Sequence, residues 1–264
     1  MTWNPTQYQQ YADVRLRPAL ELLARIALPE PRTVVDLGCG AGNVTRLLAE
    51  RWPGAAIAGV DSSEEMLAKA RAAKADLSQV SFHSADIGSW SPSSQVDLVY
   101  SNAALHWLPD HATLFPRIAR AVAPRGVLAV QMPRNFAEPS HTSVVEVAQS
   151  ARWRERLSGL VREAPVAAPS EYLHWLDPLC ADRDVWETIY QQRLPAREDG
   201  EHPVVAFVSG AWLVPYFERF AGDGAARVEF LADYRERIER SYPRERDGGA
   251  LFPVRRIFIV ATRR

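Results

Sequence analysis

Four polar residues stand where short apolar runs end: Asp36 in VVDL, Asp61 after AIAGV, Asp86 after VSFHSA and Asn102 after VDLVYS. Asp36 is followed at once by Gly38, Gly40 and Gly42, a loop whose backbone can turn tightly and come close to a ligand. Such a loop alone is ambiguous, because dinucleotide enzymes also use one after a strand. Two details separate the cases. Asn43 stands where the dinucleotide fingerprint has a glycine, and Asp36 would repel a pyrophosphate but attract an amino group. Asp61 can accept hydrogen bonds from two ribose hydroxyls, a role it would share with a dinucleotide site. Asp86 can take an adenine amino group while Ile87 walls the ring. Ser62 and Met66, beside Asp61, and Asn102, closing its run beside the loop, complete the candidate set. These residues point to a cationic nucleoside cofactor.

The elements that must hold them follow from the pattern. Thr33–Leu37, Ala55–Val60, Val80–His83, Gln95–Tyr100 and Val127–Met132 read as strands, each flanked by helical spacing of apolar residues. Ser62 with Glu65 reads as a capping box, Asp110 as the cap of a helix through Leu114 and Ile118, and Ser170 as the cap of a helix through Leu173. Asp184–Leu194 and Val254–Thr262 add a sixth and a seventh strand. Short strands alternating with helices predict an α/β Rossmann-like sheet, with ligands beyond the carboxyl ends of the strands. From Tyr8 to Leu28 the spacing is helical, and Pro18 suits the first turn of a second piece. One domain over 1–264 is expected, with an N-terminal helical lid at about 1–28 and a helical cap at about 195–250. In that cap Trp212, Tyr216, Phe217 and Phe220 read as core rather than as an aromatic cage.

Composition narrows the partners. The formal charge is −1, so no basic surplus suggests nucleic acid or a membrane surface. Lys69 and Lys74 are the sole lysines among 31 basic residues, a bias that carries no functional weight by itself. Cys39 and Cys180 stand singly, which suggests neither a disulfide framework nor a zinc site. The polar opening MTWNPTQYQQYADVR is unlike a signal peptide, and a reducing cytoplasm is the expected location. Oligomeric state is not legible.

Residues 33–132, with their polar strand ends, resemble the class I S-adenosylmethionine-dependent methyltransferases. The segments WNPTQY, SNAALHWLPDH, LAVQMPRNFAEPSH and FPVRRIFIVA carry a closer resemblance, over nearly the whole chain, to the trans-aconitate 2-methyltransferase family. Arg134 departs from that pattern, where an acidic residue is expected. The resemblance implies a mostly parallel sheet of seven strands whose last strand is antiparallel. It also implies S-adenosylmethionine as cofactor, S-adenosylhomocysteine as product and a small polycarboxylate as substrate. A carboxylic acid is already ionised at neutral pH, so no general base, metal or covalent intermediate is expected.

His106 and Trp107, just after the fourth strand, are placed where the acceptor should lie: His106 as a hydrogen-bonding or cationic partner, Trp107 as a pocket wall. With an antiparallel last strand, Arg134, Arg193, Arg255 and Arg256 gather on one sheet edge as countercharges for a polyanion. Tyr8, Tyr11, Arg15 and Arg17 belong to the lid, with Tyr8 over the methyl region. Two rivals remain open at this level: a carboxyl methyltransferase acting on malonyl-acyl carrier protein, and a catalytically silent cofactor-binding module.

Overall fold

Runs of β-branched residues give the strands, and the computed structural model describes residues 16–73, 77–161, 164–210 and 212–264. The strands are β1 (Thr33–Leu37), β2 (Ala56–Asp61), β3 (Val80–Ser84), β4 (Val96–Asn102), β5 (Val122–Pro133), β6 (Cys180–Leu194) and β7 (Ala250–Arg263). They form one sheet in the order β3-β2-β1-β4-β5-β7-β6. Neighbours from β3 to β5 are parallel, and β7 runs antiparallel to β5. The first helices are α1 (Arg17–Ala24), α2 (Asn43–Arg51), α3 (Glu64–Ala72), α4 (His111–Arg120) and α5 (Pro139–Gln149). They are followed by α6 (Arg154–Leu157), α7 (Pro169–Leu176), α8 (Pro203–Ser209), α9 (Val214–Arg219) and α10 (Gly224–Ser241).

The chain forms two compact units. The sheet unit comprises Met1–Pro133, Pro165–Thr188 and Arg256–Arg264. Its strand order reverses between β1 and β4, the switch point beyond whose carboxyl ends such sheets bind ligands. Register decides which side chains share a face. Asp36 pairs with Tyr100, and Asn102 with Gln131, so all four project to the same side of β1, β4 and β5. Helix α1 covers that side: Leu20, Leu22 and Leu23 are buried, and the Tyr100 hydroxyl donates to the Ala19 carbonyl at 2.8 Å. Pro18 lies in its first turn, as the sequence predicts.

The helical unit comprises Arg134–Ala164 and Ile189–Arg255, a wider span than 195–250. Its core joins Val144, Trp153, Tyr216, Phe220, Phe230 and Phe252. Tyr216 and Phe220 are therefore core, while Trp212 and Phe217 pack half-buried against it. Ser140 ties α5 to α10: its carbonyl accepts from the Tyr234 hydroxyl at 2.8 Å, and its amide donates to the hydroxyl of Tyr242, the C-cap of α10, at 3.1 Å.

Three local expectations need correcting. The cap of α3 is Ser63, whose hydroxyl accepts from the Met66 amide at 3.3 Å, so Ser62 lies one residue outside the helix. Helix α7 begins at Pro169 behind Ala168, with no side-chain cap, because proline needs no partner in the first turn. Strands β5, β6 and β7 begin four or five residues earlier than their β-branched centres suggest, since pairing with neighbours extends them beyond local propensity.

Candidate active site

Asp36 is the most perturbed carboxyl of the sheet unit. It is 2% exposed, and burial, reinforced by Asp61, pushes its pKa up to about 7. The Thr45 hydroxyl, presented by α2, donates to it at 2.6 Å and opposes that rise. A buried carboxyl in this state is relieved by an ammonium group, which favours the ionised form. The glycine loop follows. Gly38 (φ +81°) donates its amide to the Val60 carbonyl at 2.7 Å, which anchors the loop on β2. Asp61 braces the other side, its two oxygens accepting from the Gly40 amide at 2.8 Å and the Ser63 amide at 2.9 Å. Cys39, between the two glycines, is buried. Its thiol donates to the Gly40 carbonyl at 3.7 Å, and burial with Asp36 and Asp61 raises its pKa.

Met66, after β2, and Ile87, after β3, close on this loop. A Cβ built on Gly40 would touch Met66 Cε at 3.5 Å, and one on Gly38 would touch Ile87 Cδ1 at 3.6 Å. Asp86 holds its own turn, accepting from the Gly88 amide at 2.9 Å and the Ser89 hydroxyl at 3.1 Å. Arg117 from α4 donates to the Trp90 carbonyl and, at 2.5 Å, to the Gly88 carbonyl, fixing the same turn. Ser62 is exposed. Asn102 Oδ1 is buried with no hydrogen-bond partner. An acceptor-lined cradle of this kind fits a nucleoside with a cationic amino group: Asp36 and Asn102 would supply acceptors for the ammonium, Asp61 for the ribose, and Met66 and Ile87 apolar contacts for the base.

A second group of candidate residues starts at the 3-10 turn Leu105–Trp107, separated from the end of β4 by two residues. His106 is buried, and burial with the nearby Arg256 charge lowers its pKa to about 3. Its imidazole is therefore neutral at physiological pH, which leaves it a hydrogen-bonding group rather than a cation. Its Nδ1 is buried without a partner. Trp107 is 67% exposed, with its ring 4.6 Å from that of His106, so it is not a core side chain. His111 holds the turn from behind: one ring nitrogen meets the Tyr172 hydroxyl at 2.6 Å, the other the Leu105 carbonyl at 3.0 Å. Replacing His111 with alanine is expected to cost about 1–3 kcal/mol, because it strands buried polar partners. Thermal melting several degrees below wild type, with a higher KM for the acceptor, is the expected result.

Gln131 escaped the sequence reading. Its amide is fully buried on β5, and neither its nitrogen nor its oxygen has a hydrogen-bond partner. Leaving such a group unsatisfied costs about 1–3 kcal/mol by mutational measures. The available signal was a single amide within the otherwise apolar run VLAVQMP.

The arginines divide between the units. Arg256 lies in the sheet unit, half-buried and paired across the strands with Pro133. Arg134, Arg193 and Arg255 belong to the helical unit. There Arg193 pairs with Glu245 at 2.8 Å and with Asp247, and Arg255 pairs with Glu138 at 3.0 Å. The Arg134 amide donates to the Arg255 carbonyl at 2.9 Å. Arg17 pairs with Glu21 at 2.8 Å on α1, while Tyr8, Tyr11 and Arg15 lie outside the described residues.

Strand order, glycine loop and polar strand ends define a class I S-adenosylmethionine-dependent methyltransferase. The family described as "Methyltransferase domain" matches residues 34–126. The YcgJ protein of Bacillus subtilis aligns with a TM-score of 0.57 at 16% identity, covering 93% of this chain and 97% of that one, which is a likeness of fold. Trans-aconitate 2-methyltransferase of Azoarcus sp. (strain BH72) is 46% identical over 99% of both chains. The Streptomyces avermitilis protein of the same name is 45% identical, over 98% of this chain and 96% of its own. The chain belongs to the trans-aconitate 2-methyltransferase family. Among the described residues, no helix is long and apolar enough to cross a membrane.

Proposed function

We propose that the chain esterifies a carboxylate of a small tricarboxylic acid, trans-aconitate, with S-adenosylmethionine as methyl donor. The end-to-end similarity to relatives bearing that enzyme's name carries this reading. The site supports it, because it offers hydrogen-bonding groups and a cation at the acceptor end.

Bound in the cradle, S-adenosylmethionine supplies an electrophilic methyl group on a sulfonium centre. The residues around it hold and exclude rather than exchange protons. Asp36 and Asn102 hold the amino end, Asp61 accepts from the ribose, and Asp86 with Ser62, Met66 and Ile87 surrounds the base. On the acceptor side His106 and Trp107 contact the acid. Arg256 supplies countercharge. The acceptor carboxyl, with a pKa of about 4, arrives ionised, so no side chain needs to take its proton. Alignment in a site closed to water supplies the acceleration.

The test offers trans-aconitate, cis-aconitate, citrate, isocitrate and malonyl-acyl carrier protein with labelled cofactor, followed by mass spectrometry of the ester. Label transferred chiefly to trans-aconitate is the expected result. Transfer to the carrier protein alone, or to none of them, would overturn the assignment.

A further inference from the structure

Among the described residues, three uncharged polar groups of the sheet unit are buried without hydrogen-bond partners near the ends of β4 and β5: the Gln131 amide, Asn102 Oδ1 and His106 Nδ1. Register places them together. Gln131 stands beside Asn102, and two residues further along the same face of β5 Pro133 pairs with Arg256. The turn bearing His106 packs against β5. Gln131 thus separates the cofactor-facing strand end from the arginine. Methionine or leucine would fill its position without unmet hydrogen bonds, so the amide calls for a ligand.

The chemistry of esterification says which part of the ligand. The reacting carboxylate loses its negative charge as its oxygen–carbon bond forms and the carbon–sulfur bond breaks. A guanidinium on that carboxylate would stabilise the reactant more than the transition state and so slow the step. An uncharged amide orients the same oxygens with much less of that penalty.

We propose that Gln131 donates through Nε2 to the carboxylate that receives the methyl group, while Arg256 engages a carboxylate that stays free. This rests on the polycarboxylate reading above. It divides the acid's carboxyl groups by chemistry: the neutral floor marks the one to be esterified, and the cation marks one to be kept.

The test uses the full chain and Gln131→Met, with Gln131→Asn as a shorter amide. Calorimetry measures S-adenosylhomocysteine binding, then trans-aconitate binding to the enzyme saturated with it. In Gln131→Met, cofactor affinity and melting temperature should hold or improve, while trans-aconitate affinity falls about tenfold to a hundredfold, as for a hydrogen bond to a charged group. Gln131→Asn should fall between. Kinetics should show kcat/KM dropping in parallel. Wild-type affinity and kinetics in both variants would overturn the role of Gln131 and leave the function standing. A wild-type enzyme that binds the cofactor product but no trans-aconitate would overturn both.

Discussion

Asp36→Asn is expected to bind S-adenosylhomocysteine about tenfold to a hundredfold more weakly at pH 8, the loss of a charge-assisted contact, and yet to melt higher without ligand. The two effects share one cause. With its pKa at about 7, the buried carboxyl keeps a proton that the unfolded chain, near 3.8, has lost. Between those values the folded state holds more protons, so stability falls as pH rises from about 4 to 7 and stays lowered above. The full penalty is on the order of 4 kcal/mol as an upper bound, from 1.36 kcal/mol per unit. Asparagine removes it, so the gain in melting temperature should be present above pH 7 and vanish near pH 4. Ligand binding has the opposite sign. An ammonium favours the carboxylate, so below pH 7 binding must expel a proton, and wild-type affinity should fall toward tenfold per pH unit. Calorimetry from pH 5.5 to 8.5, in buffers of different ionisation enthalpy, reads the slope and the released proton. A flat wild-type profile would show that Asp36 does not meet the amino group.

Gly38→Ala should be worse than any other single methyl added to the loop. A Cβ there would stand 2.1 Å from Ala104 Cβ, in a backbone conformation with φ +81°. The left-handed conformation costs roughly 1–2 kcal/mol for alanine. The clash adds about 1–3 kcal/mol, since Ala104 has no flexible end to move away. Relief requires the loop and the β4 end to separate, which disturbs the cofactor cradle and the His106 turn at once. Gly40→Ala is the control: φ is +53°, but the nearest atom is the mobile Met66 Cε at 3.5 Å. The expected outcome is a melting temperature lower by about 4–20 °C for Gly38→Ala, at roughly 2–4 °C per kcal/mol, with cofactor binding lost. Gly40→Ala should lose only the conformational part. Equal effects of the two substitutions would discard the steric explanation.

Much of this arrangement was legible because it is local. The strand cores, the glycine loop, Pro18 in α1 and Asp110 as the cap of α4, accepting from the Thr113 amide at 3.2 Å, all follow from neighbours in sequence. Ser62 and Ser63 compete for one cap. Asp61 decides it by taking the Ser63 amide, a preference that composition does not display. The start of β5 was hidden behind the turn signal of Pro124–Gly126, where the strand continues through Arg125 at φ +65° and an irregular register against Val96 and Leu98. Partners far apart in sequence were beyond reach. Arg193 with Glu245, His111 with Tyr172 and the isolation of Gln131 depend on the tertiary fold alone.

The setting of Cys39 bears on a hazard peculiar to this chemistry. An activated methyl group can be captured by an exposed thiolate, since the anion rather than the neutral thiol is the nucleophile. Cys39 lies in the glycine loop that would hold the donor, and burial with its two acidic neighbours raises its thiol pKa. The carboxylates that would attract a positively charged donor also disfavour the anionic form of the adjacent sulfur, the form open to alkylation.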